Sequence, residues 1–284
     1  MIPFTPKVYF MPIGNQDTAS SRLRVWNIQP FIENSVVGIP ENYHKGDVLI
    51  IQKTPVIDEL KKAKKQGAKV IYDIDDRYYK DQKYAEMVER ADLVTVDTEE
   101  KKKEISRAFV VPDSLDWDGT KKEKYENNGI IGWTGYGNNS QYMNEVEIPK
   151  DMNLRLITSS DWGSYYTKEA QSRPWSLAMV DKYLAECDIG VHFLPKRRFE
   201  EVKGMHKLLK NWAIGLPTYT SAMPDYVKAM EEAGLGKKYI ITEGNQIKQI
   251  NSKSDIKKAR RYAMKYEAKN IAKIWNNIIN KVLS

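Results

Sequence analysis

The sequence predicts an α/β protein built as two domains, each a parallel sheet flanked by helices. Three observations carry that expectation. Short apolar, β-rich runs alternate with segments of helical period along most of the chain, the order that parallel sheets require. Runs such as GDVLIIQK (46–53) and AKVIYDIDD (68–76) are apolar almost throughout, as strands covered on both faces should be. The 284 residues exceed the commonest single-domain size, and the polar, aperiodic stretch DGTKKEKYENN (118–128) divides them. The expected domains are therefore 1–120 and 128–284.

In chain order, KVYFMP (7–12) reads as a first strand, with Gly14 for a tight turn. RLRVWNIQPFIEN (22–34) reads as a helix capped by Ser20 or Ser21, with Arg22 and Arg24 in or beside its first turn. After GDVLIIQK comes the amphipathic helix IDELKKAKKQG, stopped by Gly67. AKVIYDIDD then places Asp73, Asp75 and Asp76 at a strand's carboxyl end, where open α/β sheets gather their ligands. Helix capping, pairing with Arg77 and a divalent metal are the competing uses of those carboxylates. ADLVTVDT (91–98) is a further strand and EEKKKEISR a short helix after Thr98, followed by FVVPDSLD (109–116).

The second half restarts with GIIGWTGYGNN (129–139), a strand ending among Gly132, Gly135 and Gly137, residues that let a backbone approach a ligand closely. NLRLITSSDW (153–162) gives the next strand, and PWSLAMVDKYLAECD (174–188) a helix. DIGVHFL (188–194) and TYTS (218–221) are strands on either side of a helix whose Met205, Leu208, Leu209 and Trp212 form one apolar stripe. VKAMEEAG is a helix and KYIITEG a strand. The segment from Asp255 to Leu283 is a final basic helix with its stripe at Ile271, Ile274, Trp275, Ile278 and Val282.

Composition narrows the function. A net charge of +7 favours anionic partners such as nucleotides, nucleic acid or acidic headgroups. One cysteine, Cys187, excludes an internal disulfide framework, and three histidines without cysteine partners give no zinc spacing. No run has the roughly 20 apolar residues of a membrane span, and the N-terminal residues lack a signal-peptide pattern, so a cytoplasmic protein is expected.

The strongest functional signal is a run of cations. Lys203, His206, Lys207 and Lys210 repeat at helical spacing opposite the Leu208–Trp212 stripe. Positive side chains in a first turn oppose the partial positive charge of a helix N-terminus, and a bound anion offsets that conflict.

These residues resemble a family. The pattern K-x-x-[NH]-K-L-L, A-x-G-L-P, then P-x-Y stands here as Lys203, His206-Lys207-Leu208-Leu209, Ala213, Gly215-Leu216-Pro217, Pro224 and Tyr226. It is similar to the donor half of GT-B glycosyltransferases of the group 1, or family 4-like, kind, which use nucleotide-diphosphate sugars. ASSRLR (19–24), the strand before VPDSLD and the G-W-T-G-Y-G loop are similar to further segments of that group. Two departures stand out: His206 occupies a common Asn position, and Lys210 replaces a Glu that binds the ribose.

The resemblance implies two Rossmann-like domains facing a central cleft, with the last helix crossing back to the first domain. It implies donor binding by Gly135, Tyr136, Gly137, Ser160, Trp162, Lys203, His206, Lys207 and Lys210. Arg22, Arg24 and Asp76 fall on the acceptor side. The expected catalytic groups are Lys207, for the departing diphosphate, and, for an inverting enzyme, Asp17 or one of Asp73, Asp75 and Asp76 as a base toward an acceptor hydroxyl; retention by front-side attack, towards which the resemblance leans, needs none. No metal or other cofactor is expected, the nucleotide sugar being a co-substrate. Saccharides are the usual acceptors, and hydroxymethylated pyrimidines in DNA are acceptors of viral enzymes of the same fold; the basic last helix favours DNA. A catalytically silent nucleic-acid-binding protein on the same scaffold is the rival reading. A Rossmann oxidoreductase is disfavoured, because no strand-linked G-x-G-x-x-G is present.

Overall fold

The computed structural model describes residues 5–125, 127–159, 165–242, 246–248 and 252–284. The chain divides into two compact units. Unit 1 comprises Met1–Asp116, Val202–Gly204 and Tyr266–Ser284; unit 2 comprises Trp117–Glu201 and Met205–Lys265.

Unit 1 is a six-stranded parallel sheet. Its strands are β1 (Val8–Met11), β2 (Ser35–Val37), β3 (Val48–Gln52), β4 (Lys69–Ile74), β5 (Leu93–Val96) and β6 (Phe109–Val110), in the order β2-β1-β3-β4-β5-β6. Alternate residues of one strand feed two cores, as the pleat dictates. Leu49 and Ile51 join Val70 and Tyr72 in a core that also holds Leu60 and Met87. Val48 and Ile50 face the other way, with Phe10 and Ile71, onto Ile271, Trp275 and Ile278. Phe10 and Trp275 meet edge to face, 6.3 Å between centroids.

Among the described residues, α2 (Ile57–Lys65), α3 (Gln82–Arg90) and α4 (Glu99–Glu104) connect the strands. Asp81 and Thr98 cap α3 and α4 by accepting from the backbone N–H of Lys83 and Lys101. The expected helix over 22–34 is instead a turn of α-helix, α1 (Ala19–Ser21), a π-helical turn (Arg22–Trp26) and a 3₁₀ turn (Gln29–Phe31). Pro30 lacks the N–H that a continuous helix would use. Ser21 caps nothing there: its hydroxyl donates to Gln52 Oε1 at 2.9 Å and accepts from Gly14 N–H at 3.0 Å.

Unit 2 is a five-stranded parallel sheet of β7 (Ile130–Gly135), β8 (Asn153–Thr158), β9 (Gln171–Pro174), β10 (Ile189–His192) and β11 (Thr218–Thr220), in the order β11-β10-β7-β8-β9. Its described helices are α5 (Val180–Ala185), α6 (His206–Ile214), α7 (Pro224–Glu232) and α8 (Lys253–Ala263). The helix expected over 174–188 shrinks to α5, because 171–174 forms the exposed edge strand β9, where Pro174 is tolerated. Within KYIITEG, Ile240 bridges Thr220 at the end of β11.

The polar stretch 118–128 is a belt on unit 2: Lys122 N–H donates to Ile214 O at 2.8 Å, Tyr125 hydroxyl to Gly215 O at 3.1 Å and Asn128 N–H to Asp188 Oδ2 at 2.8 Å. The final basic segment is also two helices: α8 belongs to unit 2, a 3₁₀ turn (Met264–Tyr266) comes next, and α9 (Ala268–Leu283) covers one face of the unit 1 sheet. No described helix is long and apolar enough to cross a membrane.

Candidate functional site

Strand order locates the crevice in unit 2. From β7 the chain steps outward to β8 and β9, then returns to place β10 against the other edge of β7 and β11 beyond it. Connections reverse between β7 and β10, and ligands of open α/β sheets bind outside the carboxyl ends of such a strand pair. Gly135 ends β7, and His192 ends β10.

Lys207 comes to the end of β7 from α6. A Cβ added to Gly135 would stand 2.9 Å from Lys207 Nζ and 2.7 Å from the Trp133 ring. Glycine at this position therefore lets backbone, indole and ammonium share one space. Lys207 Nζ also lies 5.6 Å from the centre of the Trp133 ring, within cation–π range. Tyr136 is half exposed beyond the strand end, and Gly137 opens a 3₁₀ segment (Gly137–Glu145), its carbonyl accepting from Ser140 Oγ at 2.6 Å.

The helix start differs from the charge pattern. Met205 is the N-cap of α6 and its side chain makes no capping hydrogen bond, and the first turn holds His206 and Lys207 with no acid. Lys203 precedes the helix, in the segment that groups with unit 1. Lys210 is buried, its Nζ donating to Asp181 Oδ1 at 2.6 Å, so its charge is used inside unit 2. Of the four cations at helical spacing, His206 and Lys207 open α6, Lys203 precedes the helix and Lys210 turns inward to Asp181, so the four do not form one solvent-side stripe. α6 ends at Gly215, whose φ of +97° suits a residue without a side chain. Ser160 and Trp162 lie outside the described residues.

Sequence reasoning passed over His192. It sits buried at the end of β10, its ring 5.4 Å from that of Tyr226. A histidine closing an apolar strand at the sheet's carboxyl edge is the signal that would have found it.

In unit 1 the carboxyl ends of the strands carry a dense ionic network. Arg24 Nε and Nη2 each donate at 2.6 Å to the two oxygens of Asp73, and Thr95 Oγ1 donates to Asp73 Oδ1 at 2.7 Å. Arg24 Nη1 reaches Asp113 Oδ1 at 3.0 Å and Val111 O at 2.9 Å. Burial lowers the Arg24 pKa, but Asp73 more than offsets it, and the guanidinium stays charged. Arg22 makes the same two-pronged contact with Asp116, at 3.0 and 3.1 Å, and donates to the carbonyls of Gln16 and Asp17.

Thus Arg22, Arg24 and Asp73 are placed to hold the loop architecture. Asp17 is exposed, and its backbone N–H donates to Asn15 Oδ1 at 3.0 Å. Lys53, at a left-handed φ of +61°, pairs with Asp76 and stands 3.5 Å from Asp75 Oδ1. Burial pushes Asp75 up from the ordinary carboxylate range while Lys53 opposes it. A carboxyl with a raised pKa is a better proton acceptor than one held, as Asp73 is, by a guanidinium and a hydroxyl.

No family model matches the sequence, and no curated protein matches it. Among solved structures the chain is similar to Anabaena Alr3699/HepE in complex with UDP, at 10% identity and a TM-score of 0.71 over 98% of this chain and 100% of that one. It is also similar to the Candida albicans trehalose-6-phosphate phosphatase N-terminal domain, at 9% identity and 0.62 over 99% and 98%. A third is the pneumococcal O-GlcNAc transferase GtfA in complex with UDP and GlcNAc, at 11% identity and 0.54, where 84% of this chain spans 57% of that one. At these identities the likeness is one of fold, and the two parallel-sheet units are those of the GT-B architecture.

Proposed function

We propose that this chain is a glycosyltransferase that moves a sugar from a nucleotide-diphosphate sugar to a hydroxyl acceptor. The observation that carries the reading is Lys207 Nζ lying against Gly135 at the reversal point of the unit 2 sheet. The HepE and GtfA structures, which share the fold, are complexes with UDP, and this supports a nucleotide there.

The chemistry follows from charge. When the glycosidic bond to the diphosphate breaks, negative charge grows on the leaving oxygens. A fixed ammonium and the first N–H groups of α6 stabilise that charge more in the transition state than in the bound donor. His206, in the same helical turn, is a second donor to the phosphates. Because Lys207 supplies positive charge at the leaving group, we propose that transfer needs no divalent metal. On the acceptor side Asp75 is the candidate base, and Asp17 is the more exposed second candidate.

The acceptor we favour is a saccharide hydroxyl. Most of the net charge of +7 falls among the residues of unit 2, whereas the strand ends of unit 1 are rich in carboxylates: Asp73, Asp75, Asp76, Asp97, Asp113 and Asp116. Those carboxylates are paired with Arg22, Arg24, Lys53 and Lys101, a mixed-charge edge suited to hydrogen-bonding a neutral polyol and lacking the uniform positive field that a polyanion such as DNA favours. A hydroxymethylated pyrimidine in DNA is the second reading, favoured by α9 with Lys269, Lys273 and Lys281.

Incubation with UDP-, GDP-, ADP- and dTDP-sugars, scored as released nucleoside diphosphate, tests the donor. Release from at least one donor is expected, and release from none overturns the enzyme reading. Adding duplexes with cytosine, 5-hydroxymethylcytosine or 5-hydroxymethyluracil, then weighing the digested nucleosides, decides between acceptors. A hexose or pentose adduct would establish DNA.

A further inference from the structure

β3 ends at Gln52, and the residue after it takes an uncommon backbone. Lys53 has a φ of +61°; among the described residues it shares a positive φ with one other non-glycine residue, Asn34, a type that adopts it readily. Thr54 N–H donates to Gln52 O at 2.6 Å and closes a turn centred on Lys53, which at positive φ is the rarer, strained form of that turn. Two contacts hold the strain in place. Lys53 N–H donates to Asp73 O at 2.8 Å, and Lys53 O accepts from the hydroxyl of the buried Tyr72 at 2.6 Å.

The turn decides where the side chain goes. Ile51 and Gln52 pair with Tyr72 and Asp73, so an extended Lys53 would fall opposite Ile74, on the face where Ile51, Tyr72 and Ile74 are core. An ammonium there would be buried without acceptors. The left-handed turn delivers it instead to the carboxyl end of β4, where Nζ pairs with Asp76, stands 3.5 Å from Asp75 Oδ1 and lies 5.6 Å from the centre of the Tyr78 ring. Burial lowers the Lys53 pKa, but Asp75 and Asp76 more than offset it, and the ammonium stays charged.

Asp75 needs that charge. Its Oδ1 is buried and accepts no hydrogen bond from the described residues. The other charges acting on it are Asp76 beside it, Arg24 from the π-helical turn and Asp113 after β6. Arg24 is committed to Asp73 and Asp113, so among the described residues Lys53 is the cation at ion-pair distance.

We propose that Lys53 is a positioning residue for Asp75: the strained turn holds its ammonium beside the buried oxygen, so that the carboxylate stays charged and takes the proton of the acceptor hydroxyl. That proton leaves as the hydroxyl oxygen bonds the anomeric carbon and the diphosphate departs with the electron pair of the broken bond. Lys53 itself touches no reacting atom. Strain kept at a residue where glycine would relieve it points to a side chain needed at that place. The inference rests on the proposed reading of Asp75 as base, and its test separates the two.

The test makes two measurements on wild type, Lys53→Met and Lys53→Arg. One is the titration of Asp75, by NMR of protein labelled at its aspartate carboxyls and assigned with Asp75→Asn. The other is the pH profile of kcat/KM for nucleoside diphosphate release from the preferred nucleotide sugar, whose acid limb reports the base of the free enzyme. An ammonium at this distance favours the ionised carboxyl, so removing it moves ionisation to higher pH. Lys53→Met is expected to raise both the Asp75 midpoint and the acid limb by about one to three pH units. Lys53→Arg, which keeps the charge, is expected to hold both near wild type. Should Lys53→Met fail to fold, Tyr72→Phe, which releases the Lys53 carbonyl and keeps the ammonium, is expected to move both in the same direction by less. A merely structural ion pair would lower turnover at every pH without moving the limb. An unmoved midpoint overturns the role of Lys53 and leaves Asp75 as the candidate base. A midpoint that moves while the limb stays shows that Asp75 is not the base, and the inference falls with that reading, as it does if the wild type releases no nucleoside diphosphate.

Discussion

Arg24 grips Asp73 through two 2.6 Å hydrogen bonds, Nε to Oδ2 and Nη2 to Oδ1, with both side chains 1% exposed. With Thr95 on Oδ1 as well, the carboxylate is held by three hydrogen bonds at once. Breaking a buried pair by neutralising one partner strands the other charge, at a typical cost of about 3–5 kcal/mol. Asp73→Asn is therefore expected to destabilise unit 1 by about 3 kcal/mol in urea unfolding. Asp17→Asn, at an exposed position, should stay within about 0.5 kcal/mol. Equal, small effects would show that the network is not structural.

Gly135 is the second point of tension. Alanine there would force its Cβ against the Trp133 ring and Lys207 Nζ at contacts of 2.7 and 2.9 Å. The ammonium, at the end of a flexible side chain, yields more readily than the indole. Gly135→Ala is expected to fold, to lower donor turnover at least tenfold and to shift Tm by only a few degrees. Wild-type turnover in this variant would show that Lys207 does not work from beside Gly135.

Asp97 gives a pH signature. Burial raises its carboxyl to about 7; Lys101 opposes the rise and Asp113 adds to it. A raised folded-state value means that the folded chain holds the proton more tightly than the unfolded one. Its contribution is fully present below the unfolded value near about 4 and is lost as pH rises through about 7. Wild-type Tm should therefore fall more between pH 5 and pH 8 than the Tm of Asp97→Asn. Parallel curves would contradict that assignment.

Cys187 is buried, and burial pushes its thiol up to about 12. A thiol without thiolate or access is inert. Iodoacetamide at pH 8 is expected to leave the native protein unlabelled and to label it in urea. Rapid native labelling would contradict the core placement.

Much of the fold is legible in the sequence because strands buried on both faces leave an unmistakable apolar run, as at Val48–Gln52 and Lys69–Ile74. Gln171–Pro174 left no such mark: at a solvated edge, four exposed residues carry no hydrophobic signal. The candidate site was half legible. Gly135 and Lys207 stood out by residue type and spacing, and the structure brings them together. The fates of Lys210, Arg24 and Asp73 could not be read, because each is decided by a partner far along the chain: Asp181 lies 29 residues from Lys210, and Asp73 lies 49 from Arg24. Periodicity places a side chain on a face of its own helix and says nothing of which distant carboxylate that face will meet.

The central claim is that Lys207 receives the charge of a departing nucleoside diphosphate. Its most direct measurement compares wild type with Lys207→Ala for nucleoside diphosphate release from the preferred nucleotide sugar, beside the thermal unfolding of both proteins. Removing one preorganised donor of this kind typically costs about 10²–10³ in rate. The account predicts a loss of at least about a hundredfold at unchanged Tm; full activity per folded molecule, or a loss explained by unfolding, would contradict it.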